Sequence, residues 1–122
     1  MKIQKFEDMK VWQDSREFVK QIYKSTANQK FRKDFGLRDQ IQRASVSIMS
    51  NIAEGYERDS NKELIRFLII AKGSAGEVRS LLYVTTDLGY LTEKEFSEYY
   101  QASISIITQI SNFIKYLKQR TK

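Results

Sequence analysis

The chain has 122 residues, 41% hydrophobic and 30% charged, with 21 Lys/Arg against 15 Asp/Glu, a net charge of +6 and a pI near 9.5. It contains no His and no Cys. That excludes thiol nucleophiles, disulfides, an imidazole base and the usual zinc, haem, iron–sulfur and Glu-x-x-His di-iron ligand sets. No apolar run approaches a membrane span, and neither an N-terminal signal pattern nor a glycine-rich phosphate loop is present. The expectation is one soluble, cytoplasmic domain over residues 1–122, with no cofactor, no metal and no catalytic group.

Proline is absent and glycine occurs five times, so long helices run without their strongest breakers. The first helix is predicted from about Asp8 to Thr26, with Val11, Trp12, Ser15, Phe18, Val19, Ile22 and Tyr23 inward. Trp12 is expected to be buried near Ile52 with its indole N–H bonded. Off that stripe, Arg16, Lys20 and Lys24 recur at i, i+4 and i+8 as one basic line. A polar connection from Asn28 to Phe35 extends the line through Lys30, Arg32 and Lys33, and Arg38 follows.

The second helix is predicted from Gly36 to Tyr56, with Leu37, Ile41, Ala44, Ile48 and Ile52 as its apolar face. Beside that face runs a polar row, Gln40, Arg43, Ser47, Asn51 and Glu54. Short hydroxyls, an amide and a carboxylate at the edge of a core need specific partners. The row is either a seam that hydrogen-bonds a neighbouring helix or a ligand-facing surface.

Ser60-Asn-Lys-Glu63 reads as a capping box opening a third helix, which carries Leu64, Phe67, Leu68, Ala71, Ala75, Val78, Leu81, Leu82, Thr85 and Leu88 inward. With a turn near residue 59 and about 1.5 Å of rise per residue, Arg43 falls level with Gly76 and Glu77, predicting an Arg43–Glu77 ion pair. Gly73 and Gly76 cost about 1 kcal/mol each in a helix interior, which suggests close approach by another helix, in this subunit or the next. Gly89 stands where a left-handed residue ends the helix. Thr92-Glu-Lys-Glu95 is a second capping box, opening a fourth helix with the stripe Phe96, Tyr99, Ser103, Ile106, Ile110, Phe113 and Leu117.

Three short connections favour an up-and-down all-α four-helix bundle. The chain also resembles the family of 23S rRNA intervening-sequence proteins, also called four helix bundle proteins. The likeness runs through Phe6-Glu-Asp-Met-Lys-Val-Trp-Gln13, Phe35-Gly-Leu37, Gln40-Ile-Gln-Arg-Ala44, Ser50-Asn-Ile-Ala-Glu-Gly55, Gly73-Ser74 and Leu88-Gly-Tyr-Leu91. Family members commonly carry two arginines where this chain has Gln42-Arg43, and often proline where it has Met49. The resemblance implies a left-handed bundle, assembly into a five-fold ring, and a reading frame found inside insertions of large-subunit ribosomal RNA genes. A related branch, the accessory proteins of diversity-generating retroelements, binds nucleic acid and a reverse transcriptase.

Charge is segregated. Residues 1–43 hold eleven Lys/Arg against six Asp/Glu, residues 44–114 hold six against nine, and the last eight residues hold four and no acid. Segregated positive charge suits a polyanion. The leading expectation is a non-catalytic homo-oligomer, a pentamer by resemblance, that contacts phosphates of nucleic acid, RNA ahead of DNA. Its contacts are Arg16, Lys20, Lys24, Lys30, Arg32, Lys33 and Arg38, and Arg43, Asn51, Glu54 and Glu77 form a structural polar seam. The alternative is a ring-shaped scaffold that holds a protein partner, such as a reverse transcriptase, with no direct nucleic-acid role.

Overall fold

The computed structural model describes residues 4–120, so Lys122 of the basic C-terminal stretch lies outside the described residues. Four helices follow one another: α1 (Lys10–Thr26), α2 (Phe35–Glu57), α3 (Asn61–Asp87) and α4 (Glu93–Gln119). Short 3-10 turns at Phe6–Asp8 and Phe31–Lys33 precede α1 and α2. Each helix packs on its neighbours in sequence and α1 closes against α4, which gives the up-and-down four-helix bundle.

Local chemistry sets the helix ends. Asp34, which the sequence reading did not single out, caps α2 by accepting from the Leu37 N–H at 3.2 Å. Ser60 caps α3 by accepting from the Glu63 N–H at 3.2 Å. The return half of that capping box is not made, because Glu63 turns instead to Arg66 and Arg58. Thr92 and Glu95 form the complete reciprocal box of α4, at 2.9 and 3.1 Å. Gly89 takes φ +74° just past α3, and Asp59 takes φ 56° in the turn between α2 and α3.

The core is the predicted set of stripes, centred on Phe18, Ile22, Ile41, Ile48, Ile52, Leu68, Ala71, Ala75, Val78, Leu82, Ile106 and Ile110. Departures occur at its margins. Tyr23 is 46% exposed and Leu88, the residue that ends α3, also stands in solvent. Trp12 is half-buried rather than interior, and among the described residues its indole N–H has no protein partner. Its ring meets Phe6 edge-on, with centroids 5.2 Å apart, because the 3-10 turn folds back over the start of α1.

For the glycines, the half of the expectation that concerns this subunit is not met. The close approach falls on Gly55, where an added Cβ would stand 2.7 Å from Phe67 Cβ and 3.1 Å from Leu64 Cδ1. A Cβ on Gly73 or Gly76 would meet nothing within 4 Å. Among the described residues, then, neither glycine is required by a neighbour pressing on its Cβ position. They sit on the outward side of α3 with Ile69, Ile70 and Val84, all exposed, although helices normally turn polar residues outward.

Candidate nucleic-acid interface

α1 presents Arg16, Lys20 and Lys24 on solvent because its buried positions, Val11, Ser15, Phe18 and Ile22, take the opposite side. Three side chains at four-residue spacing on one helix span about 12 Å. Lys30, Arg32 and Lys33 continue the exposed cations into the connection to α2. Among the described residues, none of these six forms an ion pair. Arg16 does lie over the Trp12 ring, 5.9 Å from its centroid.

The connection that bears three of the cations is fixed in place. Phe31 is 1% exposed and stacks on Tyr90, ring centroids 5.0 Å apart. Asn28 donates through Nδ2 to the Tyr90 carbonyl at 3.2 Å and accepts through Oδ1 from the Phe31 N–H at 2.9 Å. The Tyr90 hydroxyl donates to Asp34 Oδ2 at 2.9 Å. That hydrogen bond, followed by desolvation and the Asp34 charge, raises the Tyr90 pKa above its ordinary value. The pattern of Lys30, Arg32 and Lys33 around a buried Phe31 shows only once the partner ring, 59 positions away in sequence, is in view. Periodicity carried no signal for it.

Arg38 is placed differently from the other six. It is half-buried, pairs with Asp39 at 2.9 Å, donates to the Arg32 carbonyl at 3.1 Å and lies 4.8 Å over the Phe35 ring. It props the connection rather than standing free.

The polar row of α2 divides in the same way. Its register against α3 is as expected: Gln40 Nε2 donates to Glu77 at 3.3 Å and Ser47 hydrogen-bonds Ser74 at 3.0 Å, bracketing the predicted level of Arg43. Asn51 closes the seam by donating to the Ser47 carbonyl and hydroxyl at 2.8 and 2.9 Å. The Arg43–Glu77 ion pair is not formed. Glu77 takes the Gln40 amide one turn earlier, and Arg43 is exposed. Glu54 also leaves the seam, pairing with Arg58 at 3.1 Å. A partner one helical turn away reaches Glu77 at lower conformational cost than a long arginine pointing outward.

The fold and surface together define a four-helix bundle with a row of unpaired cations on α1 and the following connection. The chain belongs to the 23S rRNA-intervening sequence protein family, which matches it over residues 7–112. A solved structure from Bacteroides thetaiotaomicron, described as a protein with unknown function from the S23 ribosomal protein family, is similar to it. The two share 30% identity with a TM-score of 0.79, over 86% of this chain and 98% of the other. No curated protein matches.

Proposed function

We propose that this protein is a non-catalytic, oligomeric RNA-binding module that contacts phosphates through Arg16, Lys20, Lys24, Lys30, Arg32 and Lys33. The observation that carries this reading is the continuous set of exposed cations without ion-pair partners among the described residues. Arg43, exposed and without the expected partner, joins them. Unpaired cations release counterions from a polyanion without first breaking a salt bridge. RNA is placed ahead of DNA because the family takes its name from a 23S rRNA intervening sequence. Recognition is chiefly of backbone and shape.

Assembly is part of the proposal, with a pentamer as the expected state. Its support is the outward side of α3, where Ile69, Ile70 and Val84 are exposed beside two glycines at which an added Cβ would meet nothing within 4 Å among the described residues. Repeating a weak phosphate surface around an assembly raises its avidity. A solution mass of one 14.4 kDa chain at micromolar concentration overturns assembly.

The phosphate reading is tested by measuring affinity for a structured RNA across a salt series. Log affinity should fall linearly with log salt, and replacing Lys20, Lys24 and Lys33 together by Gln should lower that slope by roughly one unit per lost contact. Equal affinity of parent and variant at every salt concentration refutes it. The same apolar α3 surface supports a second reading, a scaffold for a protein partner, in which binding survives high salt.

A further inference from the structure

We propose that the cleft between the Phe6–Asp8 turn, α1 and α2 takes one unpaired nucleotide of an RNA strand, its base against Trp12 and its phosphate on Arg16 and Lys20. This deepens the RNA-binding reading and rests on it. The cleft has a volume of about 690 Å³, within the range of roughly 300–1,000 Å³ typical of small-ligand sites. Trp12, Val19 and Met49 supply its apolar lining, and Arg16 and Lys20 its cations. These two belong to the same line as Lys24, so a strand tracked along α1 passes the cleft mouth.

Three details point to a base. The indole is braced by the edge-on contact with Phe6, ring centroids 5.2 Å apart, which suits it to be a stacking platform. Arg16 covers the ring only loosely, at 5.9 Å, close to the outer limit of about 6 Å for a cation–π contact. A base can take the place of the guanidinium over the indole and release Arg16 to the phosphate, since stacking on aromatic rings is how unstacked bases are commonly held. The indole N–H has no protein partner among the described residues and is available to an acceptor on the ligand.

Glu7 and Glu17 also line the cleft. Their carboxylates oppose entry of a second phosphate, which limits the cleft to one nucleotide, and they accept hydrogen bonds from exocyclic amines. Adenine, cytosine and guanine, which carry such an amine, should therefore be taken ahead of uracil, which lacks one.

Trp12 is the single tryptophan, so its fluorescence reports the cleft directly. Titration with short single-stranded oligoadenylate should quench that emission, oligouridylate should do so more weakly, and duplex RNA should leave it unchanged. Trp12→Leu should weaken oligoadenylate binding roughly tenfold, as measured by anisotropy of a labelled strand, while duplex binding stays the same. Glu17 is exposed, so Glu17→Gln keeps the fold and should narrow the preference for oligoadenylate over oligouridylate. If labelled RNA binds while Trp12 emission stays constant and Trp12→Leu matches the parent, the cleft proposal is overturned and the phosphate reading stands. If no RNA binds at low salt, both fall together.

Discussion

Arg58 and Arg66, where α2 turns into α3, and the candidate cations Arg16, Lys20, Lys24, Lys30, Arg32 and Lys33 are all exposed, yet the two groups are used differently. Arg58 pairs with Glu54 and Glu63, Arg66 pairs with Glu63, and both guanidinium groups lie over the Phe67 ring at 4.8 and 4.5 Å. On the other group no carboxylate is in ion-pair reach among the described residues, although Asp8, Glu7 and Glu17 are close in sequence. The difference lies in which side chain each carboxylate takes. Glu54 and Arg58 stand four residues apart and Glu63 and Arg66 three, the separations at which helical side chains meet. Glu17 stands three residues before Lys20, the same separation, but its carboxylate accepts instead from Gln21 Nε2 at 3.3 Å, one turn on. A cation paired locally orders its own turn, whereas one left unpaired keeps its charge for a partner.

The largest expected effect comes from breaking the way the unpaired group is displayed. Phe31→Ala removes a fully buried ring and should lower stability by about 3–5 kcal/mol, read from the denaturation midpoint. A midpoint equal to the parent's would mean that the connection is not held by Phe31. On the paired side, Gly55→Val forces a side chain into Phe67 and Leu64 and should cost about 1–3 kcal/mol. Equal stability there would show that α2 and α3 separate freely at their turn.

Charge changes should be far milder for the fold. Replacing Lys20, Lys24 and Lys33 together by Gln should move stability by no more than about 0.5 kcal/mol per site while changing the salt dependence of RNA binding. Glu63→Gln should do the reverse, with a small loss of stability and an unchanged salt slope. Its carboxyl is held below the usual value first by the Arg66 hydrogen bond, then, against desolvation, by the Arg66 and Arg58 charges. If Glu63→Gln alters the salt slope, the two groups of cations are not separate.

The smallest effect sharpens the contrast through pH. Asp14 sits beside the unpaired line but is itself partnered, by Lys10 at 2.6 Å and Gln109 at 2.9 Å. Burial alone would raise its pKa, but those hydrogen bonds and the Lys10 charge outweigh burial and lower it from 3.8. A lowered carboxylate contributes stability above its unfolded pKa and loses it as pH falls through the folded value. Asp14→Asn should therefore flatten the acid limb of the stability curve below about pH 4, leaving stability at neutral pH lower than the parent's. An acid limb as steep as the parent's would place the dependence elsewhere.

Much of the fold was legible because helix periodicity and cap residues are local signals. The stripes of α2, α3 and α4, the Thr92–Glu95 box and Gly89 all follow from neighbours within a few positions. The α2–α3 register was legible as well, because a short turn leaves little freedom in level. What escaped depends on contacts distant in sequence or on which side chain reaches first. Trp12 has the spacing of a core residue, but the Phe6 turn covers only part of it. Gly73 and Gly76 carry the same composition signal as Gly55, and only the path of α3 tells which glycine faces a neighbour. At the candidate site the cations could be named from spacing, but their lack of partners, and the engagement of Arg38, could not.

The stack of Phe31 on Tyr90 and the bonds of Asn28 and Asp34 to Tyr90 join two turns at the same end of the bundle. Turns of a helical bundle ordinarily fray independently, each with its own small opening free energy. Here the connection after α1 cannot lift away without releasing the turn between α3 and α4. Both should therefore open as one unit, with amides around Phe31 and Leu91 exchanging at a common rate. The end of the molecule that carries Lys30, Arg32 and Lys33 is then a cooperative element of the native state, and an anion bound there slows hydrogen exchange on a turn it never touches.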